Sequence, residues 1–186
     1  ELRDILVQNV GLGTPFRLEG TIELGDRPQN NRLTLIDETG AVMLFRDGSL
    51  KGLVAKPGDR VRLSGYTSYY DKPRRLVCAS CDHVTTLSHG EPPPVQTVRY
   101  DEFASGRFDF RIVRVRGLVH NAFRDEIDPR YFVLLLGDGK ARLHVMACSD
   151  GADPDLGAYV GAEVDVVGLC DPSPLGSRLH LGRILA

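Results

Sequence analysis

From Asn31 to Phe45 the chain reads NRLTLIDETGAVMLF, two short runs of alternating apolar and polar residues, Arg32–Ile36 and Ala41–Phe45. Alternation at a period of two predicts strands with one buried face. The connector Asp37-Glu38-Thr39-Gly40 predicts a tight reversal, because Asp and Thr bond nearby backbone and Gly40 can take a positive φ. The segment is therefore read as a β-hairpin. About a hundred residues later the pattern returns as Tyr131–Leu136, Gly137-Asp138-Gly139 and Arg142–Met146.

The flanking elements repeat in the same order. FRLEGTIEL (Phe16–Leu24) predicts a first strand with Gly20 inside it, and RIVRVRGLVHN (Arg111–Asn121) predicts another with Gly117 at the matching place. Interior glycines of this kind predict a bend or bulge. GDRVRLSGYT (Gly58–Thr67) and GAEVDVVGLC (Gly161–Cys170) align as fourth strands with both glycines in register. Leu76–Leu87 is a fifth strand, answered by the run Arg178–Leu181. Short helices are expected at Leu2–Val10, within Arg46–Lys56 ahead of Pro57-Gly58, at Val98–Gly106 and around Asp155–Tyr159. Ser68–Arg75 and His120–Pro129 read as loops. Three consecutive prolines make SHGEPPPV (Ser88–Val95) a stiff connector. The domains expected are 1–90, a linker at 91–98, and 99–186 with a short leading helix.

Each copy thus has five short strands, a helix between strands three and four, and a long first strand. That is the profile of an all-β protein made of two consecutive five-stranded Greek-key OB-fold barrels. The runs LTLIDETGAVMLF and PGDRVRLSG resemble the second-to-third and fourth strands of OB-fold domains generally. Composition agrees with a folded chain: 186 residues, 42% hydrophobic, 26% charged, with a formal net charge of −2. That charge gives no global footprint for nucleic acid, while leaving room for a local basic patch. No apolar run approaches the ~18 residues of a membrane span, and no signal peptide is evident. Starting at Glu1 without methionine, the chain reads as a piece of a longer protein.

A narrower resemblance rests on RIVRVRGLV, on GADPDLGAYVGAEVDVVGLC, on the helix-containing stretch VRYDEFASGRFDFRIVRVRG and on the linked pair of barrels. In these the chain resembles the tandem OB-fold extracytoplasmic region of bacterial membrane-bound sensor histidine kinases. The resemblance implies a non-catalytic sensory or interaction module in the periplasm, part of an inner-membrane protein. Its partner would be a small molecule or protein rather than nucleic acid, and dimerisation would run through the parent. Any phosphotransfer would belong to kinase parts outside this sequence.

Candidate chemistry is sparse. There is no Gly-x-Ser-x-Gly, no phosphate-cradling Gly loop and no His-Glu-x-x-His, so no catalytic residue and no cofactor is assigned. Four cysteines, Cys78, Cys81, Cys148 and Cys170, permit three full pairings. Cys78 and Cys81 form a C-x-x-C, but in a strand they would sit about 10 Å apart, too far for a disulfide. Buried thiols are the expected reading, with a metal site including His83 as the alternative; no metal site is assigned. The candidate ligand-binding residues are Tyr69, Tyr70, Arg74 and Arg75 in one loop and Phe123 and Arg124 in another. Aromatics beside cations suit base stacking and phosphate neutralisation, so a tandem OB module binding single-stranded nucleic acid inside the cell is the alternative function. Nearby Asp71, Asp125, Glu126 and Asp128 weigh against it.

Overall fold

The structure is a computed structural model. It describes residues 13–24, 32–46, 56–71, 76–103, 105–137, 142–149, 153–171 and 183–185, with backbone alone at 32, 45–46, 68–71, 76–80 and 183–185. The chain divides into two compact units, residues 1–94 and 95–186.

The first unit is built from β1 (Pro15–Leu24), β2 (Arg32–Ile36), β3 (Ala41–Arg46), β4 (Arg60–Asp71) and β5 (Leu76–Ser88). Strand β1 pairs antiparallel with β2 and β2 with β3. Strand β3 runs parallel to β5, β5 pairs antiparallel with β4, and β4 returns to β1. The second unit opens with β6 (Gln96–Thr97) and α1 (Tyr100–Phe103), then has β7 (Ile112–Arg124), β8 (Tyr131–Gly137), β9 (Arg142–Cys148), β10 (Glu163–Asp171) and β11 (Arg183–Leu185). Its ladders β7–β8, β8–β9, β9–β11, β11–β10 and β10–β7 repeat those of the first unit, with β9–β11 parallel like β3–β5, and β6 adds a second parallel pair with β7. The protein is a mostly β tandem OB-fold.

Among the described residues, the two predicted helical segments are present but short. The segment expected as Val98–Gly106 is helical only over Tyr100–Phe103, because Val98 is drawn into the sheet. Its N–H donates to the Arg114 carbonyl at 2.8 Å and its side chain is buried. The Arg99 N–H, left over at the helix start, donates to the Glu102 carboxylate at 2.9 Å. Around Asp155–Tyr159 the chain makes a 3-10 turn over Leu156–Tyr159, and the Asp155 carboxylate accepts from Gly157 N at 3.0 Å. The helices expected at Leu2–Val10 and across 47–55 lie outside the described residues, as does the run 178–181.

The β2–β3 reversal forms where the sequence places it, with Ile36 registered against Ala41. Of the two means expected, the bonding by Asp37 is present, while Gly40 is not among the residues with positive φ. Asp37 Oδ1 accepts from Thr39 N, Thr39 Oγ1 and Gly40 N at 2.6, 2.6 and 3.1 Å. A carboxylate taking three donors closes the turn without a left-handed glycine. The inward residues Leu33, Leu35, Val42 and Leu44 then join Leu18, Ile22, Val61 and Leu63 in the first core. The second core repeats this with Val113, Val115, Leu134, Leu136, Leu143 and Val145. Each such side chain contributes about 1.5–3 kcal/mol by burial.

Gly20 and Gly117 are needed for close approach more than for bending. The register shifts of β1 and β7 fall beyond them, between Ile22 and Leu24 and between Val119 and Asn121. A Cβ on Gly20 would lie 2.5 Å from the Ile36 carbonyl oxygen, and one on Gly117 would overlap the Tyr100 hydroxyl. Gly20→Ala and Gly117→Ala are therefore expected to cost about 1–3 kcal/mol each in denaturant unfolding. Losses below ~0.5 kcal/mol would remove this account of the two glycines.

Two carboxylates give the units opposite responses to acid. In the first unit the nearly buried Asp59 accepts from Lys56 N at 2.9 Å and meets His89 Nδ1 at 2.7 Å. The Lys56 N–H and then His89 hold its carboxyl below the ordinary value. Its stabilisation is present above about pH 4 and is lost as pH falls through the lowered folded value. In the second unit burial, and then the Asp171 carboxylate, push Asp109 up to about 6. That stabilisation is complete below about pH 4 and is lost as pH rises through 6. Asp109→Asn is expected to abolish a decline on the order of 2 kcal/mol between pH 4 and 6.5 in chemical unfolding. An unchanged pH profile would contradict the assignment.

Candidate functional site

OB-folds commonly receive oligonucleotides on strands two and three. In the first unit that surface is closed to solvent. Thr34, Ala41 and Met43, which alternate with the core positions of β2 and β3, are buried as well. Thr34 Oγ1 accepts the Leu24 N–H at 2.9 Å. The open surface lies on β1, β4 and β5.

Alternation along β4 turns Val61 and Leu63 inward and leaves Arg60, Arg62, Ser64 and Tyr66 outward. Tyr66 is a large aromatic held 51% exposed. The β1–β4 ladder sets Arg17 against Ser64, Glu19 against Arg62 and Thr21 against Arg60. On the other side, β5 sets His83 against Ser64 and Thr85 against Arg62. The result is one continuous face of guanidinium, hydroxyl and phenol groups.

Glu19 sits among the cations. Arg62 donates from Nε to Glu19 Oε1 at 2.7 Å and approaches it with Nη2 at 2.6 Å, while Arg60 Nη2 lies 3.6 Å from Oε2. The Arg62 hydrogen bond, and then the charges of Arg62 and Arg60, hold the Glu19 carboxyl below its ordinary value. At the margin, Ser64 Oγ donates to Asp82 Oδ1 at 3.3 Å, and His83 Nε2 lies 3.3 Å from Thr85 Oγ1.

The second unit has the same face with a different charge. Counting back from the shared glycines, Arg114 and Arg116 of β7 occupy the places of Arg17 and Glu19. Glu163 and Asp165 of β10 occupy those of Arg60 and Arg62. The ladder sets Asp165 against Arg116, so the cross-strand ion pair persists with its signs exchanged. Asp165 approaches Arg114 at 3.7 Å and Arg116 at 4.0 Å. At these four positions the first unit carries three arginines and one carboxylate, and the second carries two of each.

The residues singled out from sequence fall differently. Tyr69 and Tyr70 belong to β4 rather than to a loop, because the β4–β5 ladder runs on through Tyr69 opposite Val77 to Asp71 opposite Leu76. Their side chains, and the whole of Arg74 and Arg75, lie outside the described residues. Phe123 and Arg124 are also strand residues, since β7 continues in register opposite Val133 and Phe132. Phe123 is 42% exposed. Arg124 is engaged within its own unit, donating from Nη1 to the Pro129 carbonyl at 2.8 Å and pairing through Nη2 with Asp153. The two expected patches thus do not share one kind of surface. Arg17, Glu19, Arg60, Arg62 and Tyr66 were missed, although the alternation R-x-R-x-S-x-Y from Arg60 to Tyr66 places four of the outward residues.

Cys81 and Cys170 are buried and free, and Cys148 is free and half-buried. Cys81 Sγ donates towards the carbonyls of Ser64 and His83 at 3.4 Å each. Burial pushes the Cys81 thiol up to about 11 and, with the nearby Asp109 and Asp171 carboxylates, Cys170 up to about 12. Such thiols are poor nucleophiles. Among the described residues no three His, Cys, Asp or Glu side chains are placed to hold a metal ion. No helix there is long and apolar enough to cross a membrane.

No family model and no curated protein matches the sequence. Solved structures do match over nearly the whole chain. The Ifi202 HINa domain in complex with 20-bp dsDNA has a TM-score of 0.46 at 9% identity, covering 95% of this chain and 93% of that one. A murine DNA-binding protein bound to dsDNA has a TM-score of 0.48 at 11% identity, covering 92% and 94%. The tetrameric p202 HIN2 domain has a TM-score of 0.44 at 10% identity, covering 96% and 91%. These matches overturn the expected kinship with sensor histidine kinases. The sensory role, the small-molecule or protein partner, the membrane-anchored kinase parent and the low place given to nucleic acid are corrected with it. The sensory role and the membrane-anchored kinase parent had rested on that kinship, whereas the low place given to nucleic acid had rested also on the net charge and on Asp71, Asp125, Glu126 and Asp128.

Because Arg60, Arg62 and Glu19 are exposed, their pairing adds little to folding. Arg60→Ala and Arg62→Ala together are expected to lower stability by less than about 1 kcal/mol in thermal unfolding. A larger loss would make the cluster a structural staple.

Proposed function

We propose that this chain is a non-catalytic DNA-binding module whose first unit presents its β1–β4–β5 face to the phosphate backbone. The observation that carries the reading is the charge difference at four matched positions of the two faces: three arginines to one carboxylate in the first unit, where Asp82 adds a carboxylate at the margin, and two to two in the second. Arginine forks match phosphate oxygens, and serine and threonine hydroxyls supplement them. Tyr66 gives the face one aromatic surface for a sugar or base. In this reading each unit is a Greek-key barrel, and β4 leads from the face towards its β4–β5 turn. From Arg60 to Arg75 the sequence carries five cationic residues and three tyrosines against the single carboxylate Asp71. Tyr69, Tyr70, Arg74 and Arg75, which follow in the sequence, are proposed as further contacts, whereas Arg124 is committed to Pro129 and Asp153. Duplex DNA is the ligand named for two of the similar solved structures, and a face of phosphate-reading groups with one exposed aromatic suits a duplex better than a stacked single strand.

Fluorescence anisotropy with a short duplex tests this. Affinity is expected to fall steeply with salt, log K against log salt having a slope of about −0.9 per phosphate contacted. Arg17→Ala, Arg60→Ala and Arg62→Ala combined are expected to weaken binding at least ~10-fold at about 100 mM salt and to flatten the slope. Arg114→Ala with Arg116→Ala should change it less than ~3-fold. Equal binding by the first-unit variant and the unaltered protein would refute the assignment of this face. Tighter binding of the matching single strand would replace duplex by single strand as the ligand.

A further inference from the structure

A carboxylate in the centre of a face that binds phosphate opposes the attraction the face provides, yet Glu19 lies there, registered against Arg62 and touching both β4 arginines. Its exposed ion pair adds little to stability. Nor is a carboxylate on the first strand demanded by the fold, since Arg116 stands at that place in the second unit. What Glu19 does is geometric and electrostatic. It engages Arg62 through Nε and Nη2 along one carboxylate oxygen, and Arg60 approaches its other oxygen. The two guanidiniums, two residues apart on one strand, are thereby drawn to a common point on the sheet.

Resting on the DNA-binding reading above, we propose that Glu19 is a positioning and selectivity residue: it holds Arg60 and Arg62 as a two-pronged clamp for a single phosphodiester and offsets part of their charge. A phosphate of a regularly spaced backbone can meet the remaining N–H edges of both arginines with Tyr66, Ser64 and Arg17 alongside. A polyanion of different spacing gains from net charge alone, which Glu19 lowers. The face therefore selects a phosphodiester backbone over other polyanions. Glu19 tunes selectivity by making the wrong ligand worse as well as the right one better.

The test compares a short DNA duplex with heparin, a sulfated polyanion lacking phosphodiesters, as ligands of the full chain. The unaltered protein, Glu19→Gln and Glu19→Asp are titrated at several salt concentrations, with thermal unfolding to establish that each is folded. Glu19→Gln is expected to bind heparin about tenfold more tightly and to change duplex affinity less, so the duplex-to-heparin preference falls, while the heparin salt slope steepens by about one. Glu19→Asp, which keeps the charge, is expected to recover most of the preference. A preference that stays the same or rises in Glu19→Gln overturns the selectivity role while leaving the DNA-binding reading standing. Failure of the unaltered protein to bind duplex at low salt overturns both.

Discussion

The first-to-fourth-strand ladder is the constraint on which the rest depends. In the first unit it runs from Pro15 opposite Tyr66 to Thr21 opposite Arg60, and in the second from Ile112 opposite Leu169 to Leu118 opposite Glu163. Each ladder joins the strands that begin and nearly end a unit, so it is the long-range pairing that brings the sheet back on itself. Because strands alternate, it fixes two outcomes at once. Leu18, Val61 and Leu63 go to the core, while Arg17, Glu19, Arg60 and Arg62 go to a shared outer face. A one-residue slip would exchange those sets, burying four charges and exposing the core. The hydrophobic requirement therefore sets the register, and the register assembles the charged face.

The duplicated architecture separates what the fold requires from what a surface adds. Both units keep a glycine one residue beyond the cross-strand ion pair, and both keep an ion pair at the same register. The signs of the pair are exchanged, and of the positions two residues away one is kept, Arg17 as Arg114, while the other diverges, Arg60 becoming Glu163. A balanced face attracts no polyanion strongly, whereas a surplus of guanidinium does. The second unit also spends its loop charges internally. Asp128 accepts from Arg130 at 2.6–3.2 Å, Asp125 caps the N–H groups of Ile127 and Asp128, and Arg124 is tied to Asp153.

Much of the fold was legible because its signals are local. The alternation of LTLI and AVMLF, the Asp-x-Thr-Gly reversal and the matched glycines each depend on residues close in sequence. The chain's repetition then turned one hairpin into a two-unit architecture. Strand ends were less legible: β4 outruns Thr67 to Asp71 and β7 outruns Asn121 to Arg124, because partner strands prolong polar stretches that look like loops by composition. The short helix of the second unit was over-read because Val98 is claimed by the sheet. The site was hardest to see. Glu19 and Arg62 are 43 positions apart in sequence, and only register across strands makes them neighbours. Aromatics beside cations are neighbours along the chain, which a strand turns to opposite faces, whereas this face is built from every second residue of three strands.

The most direct measurement is amide chemical-shift mapping of the full chain as duplex DNA is added at low salt. Shifts are expected to concentrate on Arg17–Thr21, Arg60–Tyr66 and His83–Thr85 and to disappear as salt is raised. Shifts confined to β7 and β10 of the second unit, or none at a duplex concentration that saturates a genuine site, would contradict it.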